Sequence, residues 1–297
     1  TLKCPVYEGN FVRIETERTP KISSLKAIAD PSLDLKSPLK GPFNIIREKP
    51  LNLENEALLL LKSAQLLPAA VISRVSDGTN FASKNNLTYV QTEQLIELAI
   101  SSRGIADAIT AAVPTARAED AQFHIFRPNI SGEEHYVMEI GKINREQPTL
   151  VRIHSACFTG DVLGSLKCDC GPQLHFATKM INDQGSGLLI YLNQEGRGIG
   201  LANKIRAYSL QDQGFDTVEA NHRLGFEDDE RDFQLGAAIL KEMRITDIKL
   251  ITNNPSKLSM MNKYDINVTE RIPLRVGQNK NNLRYLETKA KKSGHLM

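Results

Sequence analysis

The chain has 297 residues, of which 41% are hydrophobic and 24% charged, and its formal net charge is +2. This balance gives no reason to expect nucleic-acid binding through bulk charge, and no apolar run approaches the roughly 18 residues of a transmembrane helix. The N-terminus lacks the pattern of a secretory signal. We therefore expect a cytoplasmic protein of about two domains, with neither a nucleic acid nor a membrane as partner.

Residues 1–110 predict a smaller N-terminal α/β accessory domain of unknown role. Residues 54–67 include four consecutive leucines and predict a largely buried helix that Pro68 ends. Residues 69–75 predict a short strand, and residues 92–102 predict a helix capped by Thr92. This segment carries no pattern of catalytic residues.

Residues 111–297 predict a second, larger domain. Strands alternate with helices, which indicates an α/β to α+β fold with a mixed sheet and flanking helices. The predicted strands cover residues 123–126, 135–140, 150–154, 187–192 and 248–252. The predicted helices cover residues 173–184, 201–213, 234–243 and 256–263.

Cys157, Cys168 and Cys170 fall within 14 residues of one another. In a reducing compartment, clustered cysteines are metal ligands more often than disulfides, and three thiolates fill three corners of a zinc tetrahedron. If water fills the fourth corner the site is catalytic, because zinc lowers the pKa of that water to about 7. The spacing leaves two alternatives open: a closed structural site with His154 as fourth ligand, and a thiol nucleophile.

A glycine-rich run, Glu195-Gly-Arg-Gly-Ile-Gly200, joins the strand at 187–192 to the following helix. Such a turn directs backbone N–H groups at a phosphate, and Arg197 adds a fork for bidentate contact. A glycine turn without a ligand is the alternative. Residues 252–257 likewise begin a helix at a strand's end, a position that favours ligands.

In this order, the motifs of residues 111–297 resemble GTP cyclohydrolase II. They are Arg152-Ile-His-Ser, Cys157-Phe-Thr-Gly-Asp161, Cys168-Asp-Cys170-Gly, Gln194-Glu-Gly-Arg-Gly-Ile-Gly200, Lys204-Ile-Arg-Ala-Tyr208, Leu210-Gln-Asp-Gln-Gly214, Asp229-Glu-Arg-Asp-Phe233 and Thr252-Asn-Asn-Pro255. The resemblance implies a homodimeric hydrolase that opens the imidazole ring of GTP at C8. Formate and pyrophosphate leave, and 2,5-diamino-6-(5-phosphoribosylamino)pyrimidin-4-one enters riboflavin biosynthesis.

The resemblance also implies roles for individual residues. Cys157, Cys168 and Cys170 would hold one Zn²⁺ per chain, and Mg²⁺ would accompany the triphosphate. Asp229 would be the proton acceptor, Tyr208 would serve ring opening, and Arg231 would act as nucleophile toward the α-phosphate or as an electrostatic stabiliser. The implied GTP contacts are Arg152, His154, Ser155, Gln173, Glu195, Gly196, Arg197, Thr217, Thr252 and Lys257.

The chain departs from the family pattern at Ala156, where Glu is frequent, and at Asn193, where Arg is frequent. Residues 1–110 lack the acidic motifs of the dihydroxybutanone-phosphate synthase to which the family is often fused, so we predict no second activity. Two other functions stay open. One is a GTP-binding module with structural zinc and no turnover, and the other is a paralogue that acts on another purine or a pyrimidine.

Overall fold

The computed structural model describes residues 11–49, 51–91, 93–94, 104–128, 133–283, 285–287, 290, 294 and 296. The chain forms two compact units. The first unit contains Thr1–Leu98 and Ala202–Glu227, and the second contains Ala99–Leu201 and Asp228–Met297. The predicted domain boundary after residue 110 stays a prediction, because this division into compact units does not test it. Across the described ranges, every helix is too short or too polar to cross a bilayer.

The elements are numbered in chain order. The helices are α1 (Ile22–Ala29), α2 (Asn52–Ser63), α3 (Gly78–Lys84), α4 (Phe158–Asp161), α5 (Cys170–Gln184), α6 (Leu201–Asp212), α7 (Thr217–Leu224), α8 (Gln234–Glu242) and α9 (Pro255–Lys263). The strands are β1 (Ile105–Ala112), β2 (Ala121–Pro128), β3 (His135–Ile140), β4 (Thr149–Ser155), β5 (Gly187–Leu192), β6 (Asp247–Ile251) and β7 (Asn267–Ile272).

The N-terminal part of the first unit corrects two predictions. The predicted helix at 54–67 forms as α2, but it ends at Ser63, because Gln65 takes a left-handed φ of 56°. No residue of α2 is buried. Four successive leucines lie 100° apart around a helix and so cannot all face one core. The predicted strand at 69–75 is wrong, since the chain there is irregular. The predicted helix at 92–102 falls largely outside the described residues.

Helices α6 and α7 contact the N-terminal segment within the first unit. The fully buried Asn203 donates from Nδ2 to the carbonyl of Gln65 at 2.9 Å. Arg206 pairs with Asp30 at 3.0 Å, and Arg223 reaches Asp34 at 3.3 Å. These contacts connect residues 30–65 with residues 203–223 within the first unit.

The described part of the second unit contains a seven-stranded mixed sheet in the order β1-β2-β3-β5-β4-β6-β7. Pairings from β1 through β2 and β3 to β5 are antiparallel, whereas β5, β4, β6 and β7 pair in parallel. The predicted mixed sheet with flanking helices is therefore confirmed. Every strand predicted in this unit is present, and β1 and β7 are additional.

Strands β4 and β5 are buried almost throughout because helices cover both faces of the sheet. On one face Ile153 and Ile190 pack with Ile239 of α8 in the larger hydrophobic core. On the other face, Leu150 packs with Ile181 of α5. The central strands are thereby fixed, and the loops that leave their ends have a rigid base.

Candidate functional site

The predicted site residues of the second unit gather at the carboxyl ends of parallel strands. Ser155 ends β4, Glu195 follows β5 after two residues, and Thr252 follows β6 directly. Because β5, β4 and β6 are neighbours and parallel, these ends meet at one edge of the sheet. Ligands in α/β sheets bind at such an edge.

The cysteine cluster lies beside this edge. The Sγ atoms of Cys157, Cys168 and Cys170 all lie within 4.8 Å of one another. Cys157 Sγ and Cys168 Sγ are 3.7 Å apart, and a tetrahedral ion with Zn–S bonds of about 2.3 Å places its sulfurs about 3.8 Å apart. The donor set and its spacing therefore fit zinc.

Two glycines leave room for the cluster. A Cβ on Gly160 would lie 2.7 Å from Cys168 Sγ and 3.0 Å from Cys157 Sγ. A Cβ on Gly171 would lie 2.3 Å from the carbonyl oxygen of Gly160. The absence of side chains at both positions lets α4 approach the start of α5, and so draws the sulfurs together.

His154 does not belong to the metal-ligating group. Among the described residues, the cysteines form the group that could hold an ion, without a histidine. The Nε2 atom of His154 lies instead 3.1 Å from each oxygen of Asp161. This geometry does not support the closed site with His154 as fourth ligand.

Asp161 and Tyr191 also belong to the site, although their role was not predictable from their own positions in the sequence. The carboxylate of Asp161 accepts hydrogen bonds from the Cys157 N–H at 3.0 Å and from the Tyr191 hydroxyl at 2.9 Å. The Tyr191 ring stacks on His154 with centroids 5.5 Å apart. Burial raises the pKa of Tyr191, and the negative Asp161 raises it further. Asp161 stands in a motif that carried the resemblance, and that was the available signal.

Arg152 is a buried cation beside the cysteines. Its guanidinium donates to the Ile251 carbonyl at 2.9 Å and to Gln173 Oε1 at 2.6 Å. Burial lowers its pKa to about 10, while the negative groups at Cys170 and Asp169 oppose that change. Arg152 therefore stays charged at neutral pH, and its buried Nε has no hydrogen-bond partner among the described residues.

The glycine-rich loop holds an unusual backbone. Gly196 and Arg197 both have φ near 64°, and Gly198 has φ 95°. A non-glycine residue in this region stores strain, which proteins concentrate at functional sites. Glu195 holds the loop in place, since its carboxylate accepts from the backbone N–H groups of Phe158 at 2.6 Å and Gly196 at 2.8 Å.

The loop contacts the segment that carries the predicted catalytic residues. Arg197 donates from its guanidinium to the Asp228 carbonyl at 3.2 Å, and its own carbonyl accepts from the Glu230 N–H at 3.0 Å. A Cβ on Gly198 would lie 2.6 Å from the Glu230 oxygen. The two segments are therefore held in register by backbone contacts.

Asp229 and Arg231 form an ion pair within that segment. Arg231 donates from Nε and a terminal nitrogen to the two carboxylate oxygens, at 2.7 and 2.5 Å, and also reaches Ser155 Oγ at 3.4 Å. Burial tends to raise the pKa of Asp229, but the hydrogen bond and charge of Arg231 and the charge of Arg197 outweigh it and lower the pKa. Asp229 is therefore a carboxylate at neutral pH.

Lys257 and Thr252 complete this edge of the sheet. Lys257 is 6% exposed, donates from Nζ to the Ile153 carbonyl at 2.9 Å and lies over the Phe233 ring. The guanidinium of Arg231 lies over the same ring, 4.9 Å from its centroid. Thr252 accepts from the Asn254 N–H at 3.0 Å, which turns the chain into α9. Phe233 thus contacts two cations that are 26 positions apart in the sequence.

The remaining predicted residues, Tyr208 and Thr217, belong to the first unit. Tyr208 lies on α6 with the Lys204 ammonium 5.8 Å from its ring centroid. Thr217 begins α7, where Asp216 caps the helix, and accepts from Gln211 Nε2 at 3.4 Å. Their predicted roles toward GTP stay predictions.

The sequence is similar to known proteins over most of its length. A family model described as GTP cyclohydrolase II matches residues 106–273. The chain is 37% identical over 308 aligned positions to the riboflavin biosynthesis protein RibBA of Cytophaga hutchinsonii, covering 97% of this chain and 75% of that protein.

Two further relatives are named GTP cyclohydrolase-2. The protein of Azospirillum brasilense is 41% identical over 275 residues, covering 91% of this chain and 71% of the relative. The protein of Escherichia coli K12 is 53% identical over 172 residues, covering 58% of this chain and 88% of the relative.

Proposed function

Because the chain belongs to the GTP cyclohydrolase II family, we propose that it hydrolyses GTP in a zinc-dependent reaction of riboflavin biosynthesis. The proposed reaction opens the imidazole ring at C8. It releases formate and pyrophosphate and leaves a diaminopyrimidinone that carries the ribose phosphate.

The cysteine cluster carries this proposal. Cys157, Cys168 and Cys170 would hold the ion, because the sulfurs of Cys157 and Cys168 have the separation that tetrahedral zinc requires and all three lie within 4.8 Å of one another. Zinc bound there would act as a Lewis acid that makes water nucleophilic at neutral pH. That the described metal-ligating group lacks a histidine supports an open fourth position over a structural site.

Cations of the second unit would bind the triphosphate. Arg197 lies on the strained loop, Arg231 on the facing segment, and Lys257 at the start of α9. Arginine forks and lysine ammonium groups stabilise the charge that develops on phosphoryl oxygens during transfer. Arg152 would contribute a further fixed charge near Cys170. Mg²⁺ would accompany the triphosphate, as the resemblance implies.

Asp229 would accept a proton during the reaction. Asp229 is ionised at neutral pH, so its carboxylate is in the form that can accept a proton. The ion pair with Arg231 ties the proton acceptor to a phosphate-binding group. For Arg231 the pairing supports electrostatic stabilisation, since a guanidinium held by a carboxylate keeps its proton.

Other features of the proposal rest on the resemblance. Tyr208 would serve ring opening, and Thr217, Ser155, Gln173, Glu195, Gly196, Thr252 and His154 would contact GTP. The enzyme would act as a homodimer in the cytoplasm, where reduced thiols keep the cysteine cluster available to metal.

A direct test measures zinc content and formate release on purified, zinc-loaded protein supplied with GTP. We expect about one zinc per chain, and equimolar formate and pyrophosphate. Cys168→Ser should lose both zinc and activity. Formate absent from zinc-loaded protein would refute the proposal. Release of formate from another purine but not from GTP would favour the paralogue suggested by Ala156.

A further inference from the structure

Asp161 is a buried carboxylate at the centre of a hydrogen-bond network. Its side chain is 3% exposed. Oδ2 accepts from the Cys157 N–H and the Tyr191 hydroxyl, and His154 Nε2 lies 3.1 Å from both Oδ1 and Oδ2. One carboxylate therefore touches the metal-binding loop, the stacked tyrosine and the histidine.

This network fixes the tautomer of His154. A neutral imidazole protonates one nitrogen and leaves a lone pair on the other. Burial lowers the pKa of His154, which keeps the ring neutral near pH 7. The nitrogen that faces two carboxylate oxygens must carry the hydrogen, since two facing lone pairs repel. Nε2 is then the donor and Nδ1 is a bare acceptor.

The unprotonated Nδ1 of His154 is a buried acceptor that receives no hydrogen bond from the described residues. His154 is 3% exposed, and Nδ1 finds no hydrogen-bond partner among the described residues. A buried acceptor that is left unsatisfied has lost its hydrogen bonds to water without replacement, which is unfavourable. Buried polar atoms without a partner are few in native proteins, so each one calls for an explanation.

We propose that Asp161 is a positioning residue that holds His154 as its Nε2–H tautomer, so that Nδ1 accepts a hydrogen bond from an N–H or O–H donor in the reaction. The inference rests on the proposed function for the identity of the reaction. Two donors share this chemistry, an N–H of the bound nucleotide and the O–H of the attacking water.

The substitution Asp161→Asn tests this positioning with little change of shape. The Cys157 N–H and the Tyr191 hydroxyl both donate to Oδ2, so the amide oxygen of asparagine would take that place. Its NH₂ would then face His154 Nε2 and donate to it. The histidine would move its own proton to Nδ1, and the acceptor would become a donor.

We would measure the ¹⁵N shifts of His154 in labelled protein, zinc content, and kcat and KM for formate release. The wild type should show protonated Nε2, and Asp161→Asn protonated Nδ1 with unchanged zinc. The kcat/KM should fall about 100-fold or more, the scale of a misplaced acid–base group. A fall in kcat alone assigns the donor to water, and a rise in KM assigns it to the nucleotide.

Asp183→Asn is the matched control, because Asp183 lies on the exposed side of α5 in a surface pair with Lys179. It should change neither the His154 shifts nor the rate. Loss of zinc in Asp161→Asn in proportion to activity would overturn the proposal, since Asp161 would then serve the metal loop alone. Protonated Nδ1 in the wild type would also overturn it, and that measurement needs no variant to fold.

The proposed tautomer of His154 and the proposed function can be refuted independently of each other. If zinc-loaded wild type released no formate from GTP, the proposed function would fall, and the ¹⁵N shifts would still decide how Asp161 orients His154. If formate were released normally by Asp161→Asn with the flipped tautomer, the reaction would stand and the inference would fall.

Discussion

Arg231 pairs with Asp229 through two hydrogen bonds, with both donors on the guanidinium and both acceptors on the carboxylate. The two residues are separated by a single position, and the backbone N–H of Arg231 donates to the same carboxylate at 3.2 Å. The pair is therefore built by one local turn, and the glycine-rich loop holds that turn through Glu230.

Asp229→Asn should abolish most turnover and leave the metal in place. The substitution removes the proposed proton acceptor and one charge that holds Arg231, and neither residue belongs to the cysteine cluster. We expect formate release to fall about 100-fold or more with unchanged zinc content. Glu270→Gln, which alters an exposed pair with Lys249, is the control and should keep full activity. An Asp229→Asn protein of normal rate would remove Asp229 from the mechanism.

Gly198→Ala should separate the glycine-rich loop from the Asp229 segment. Alanine at a left-handed φ costs about 1–2 kcal/mol, and here its Cβ would also press against the Glu230 carbonyl. Gly214→Ala carries the same backbone cost, at φ 105°, with nothing near its Cβ. Denaturant unfolding and formate assays should show a larger loss for Gly198→Ala in both. Equal losses would mean that the close approach has no importance.

Gly160→Ala should weaken metal binding without removing a ligand. The new methyl group would sit inside contact distance of Cys168 and Cys157 sulfur, so the sulfurs must spread. We expect zinc affinity, measured by competition with a chromophoric chelator, to fall about 10- to 100-fold, the range for disturbed surroundings of metal ligands. Gly78→Ala, in the first turn of α3, should leave zinc affinity unchanged. Unaltered affinity in Gly160→Ala would contradict the packing argument.

His135 should make stability depend on pH. Its ring is 1% exposed, accepts from the Asn193 N–H at Nδ1, and has its pKa lowered by burial from 6.5 to about 4. Below pH 6.5, His135 is protonated in the unfolded chain but stays neutral in the folded chain. The free energy of unfolding therefore decreases as the pH falls from 6.5 toward 4. Between pH 7 and pH 5 this amounts to about 2 kcal/mol.

Denaturant unfolding of the wild type and of His135→Asn at both pH values isolates this contribution, because other groups titrate equally in the two proteins. The variant should lose less stability than the wild type between pH 7 and pH 5. Parallel losses in the two proteins would show that His135 does not cause the dependence.

Periodicity in the sequence was sufficient for the strands and helices that bury an apolar face. Strand β5, with its run of apolar residues, was predicted at its observed bounds. Strands β1 and β7 were missed because most of their side chains are exposed or polar, so neither shows alternation. The leucine run of α2 led to a wrong prediction of burial. Local hydrophobicity does not determine whether a core lies nearby, and no residue of α2 is buried.

The cysteine cluster could be predicted because its ligands are close in sequence and chemically distinctive. The Asp161 network could not, because it joins β4, α4 and β5 through contacts that span up to 30 residues. Phe233 illustrates the same limit. Its ring supports Arg231, from the segment before α8, and Lys257, from α9, and an aromatic side chain in sequence gives no sign of that use.

The carboxylates and carbonyls that hold α6 and α7 come from residues near positions 30, 34 and 65, far upstream of the stretch that the family model matches. Trimming the gene to the matched region would remove Asp30 and Asp34, which pair with Arg206 and Arg223, and the Gln65 carbonyl that accepts a hydrogen bond from Asn203. The helix that bears Tyr208 is therefore held in part by upstream residues.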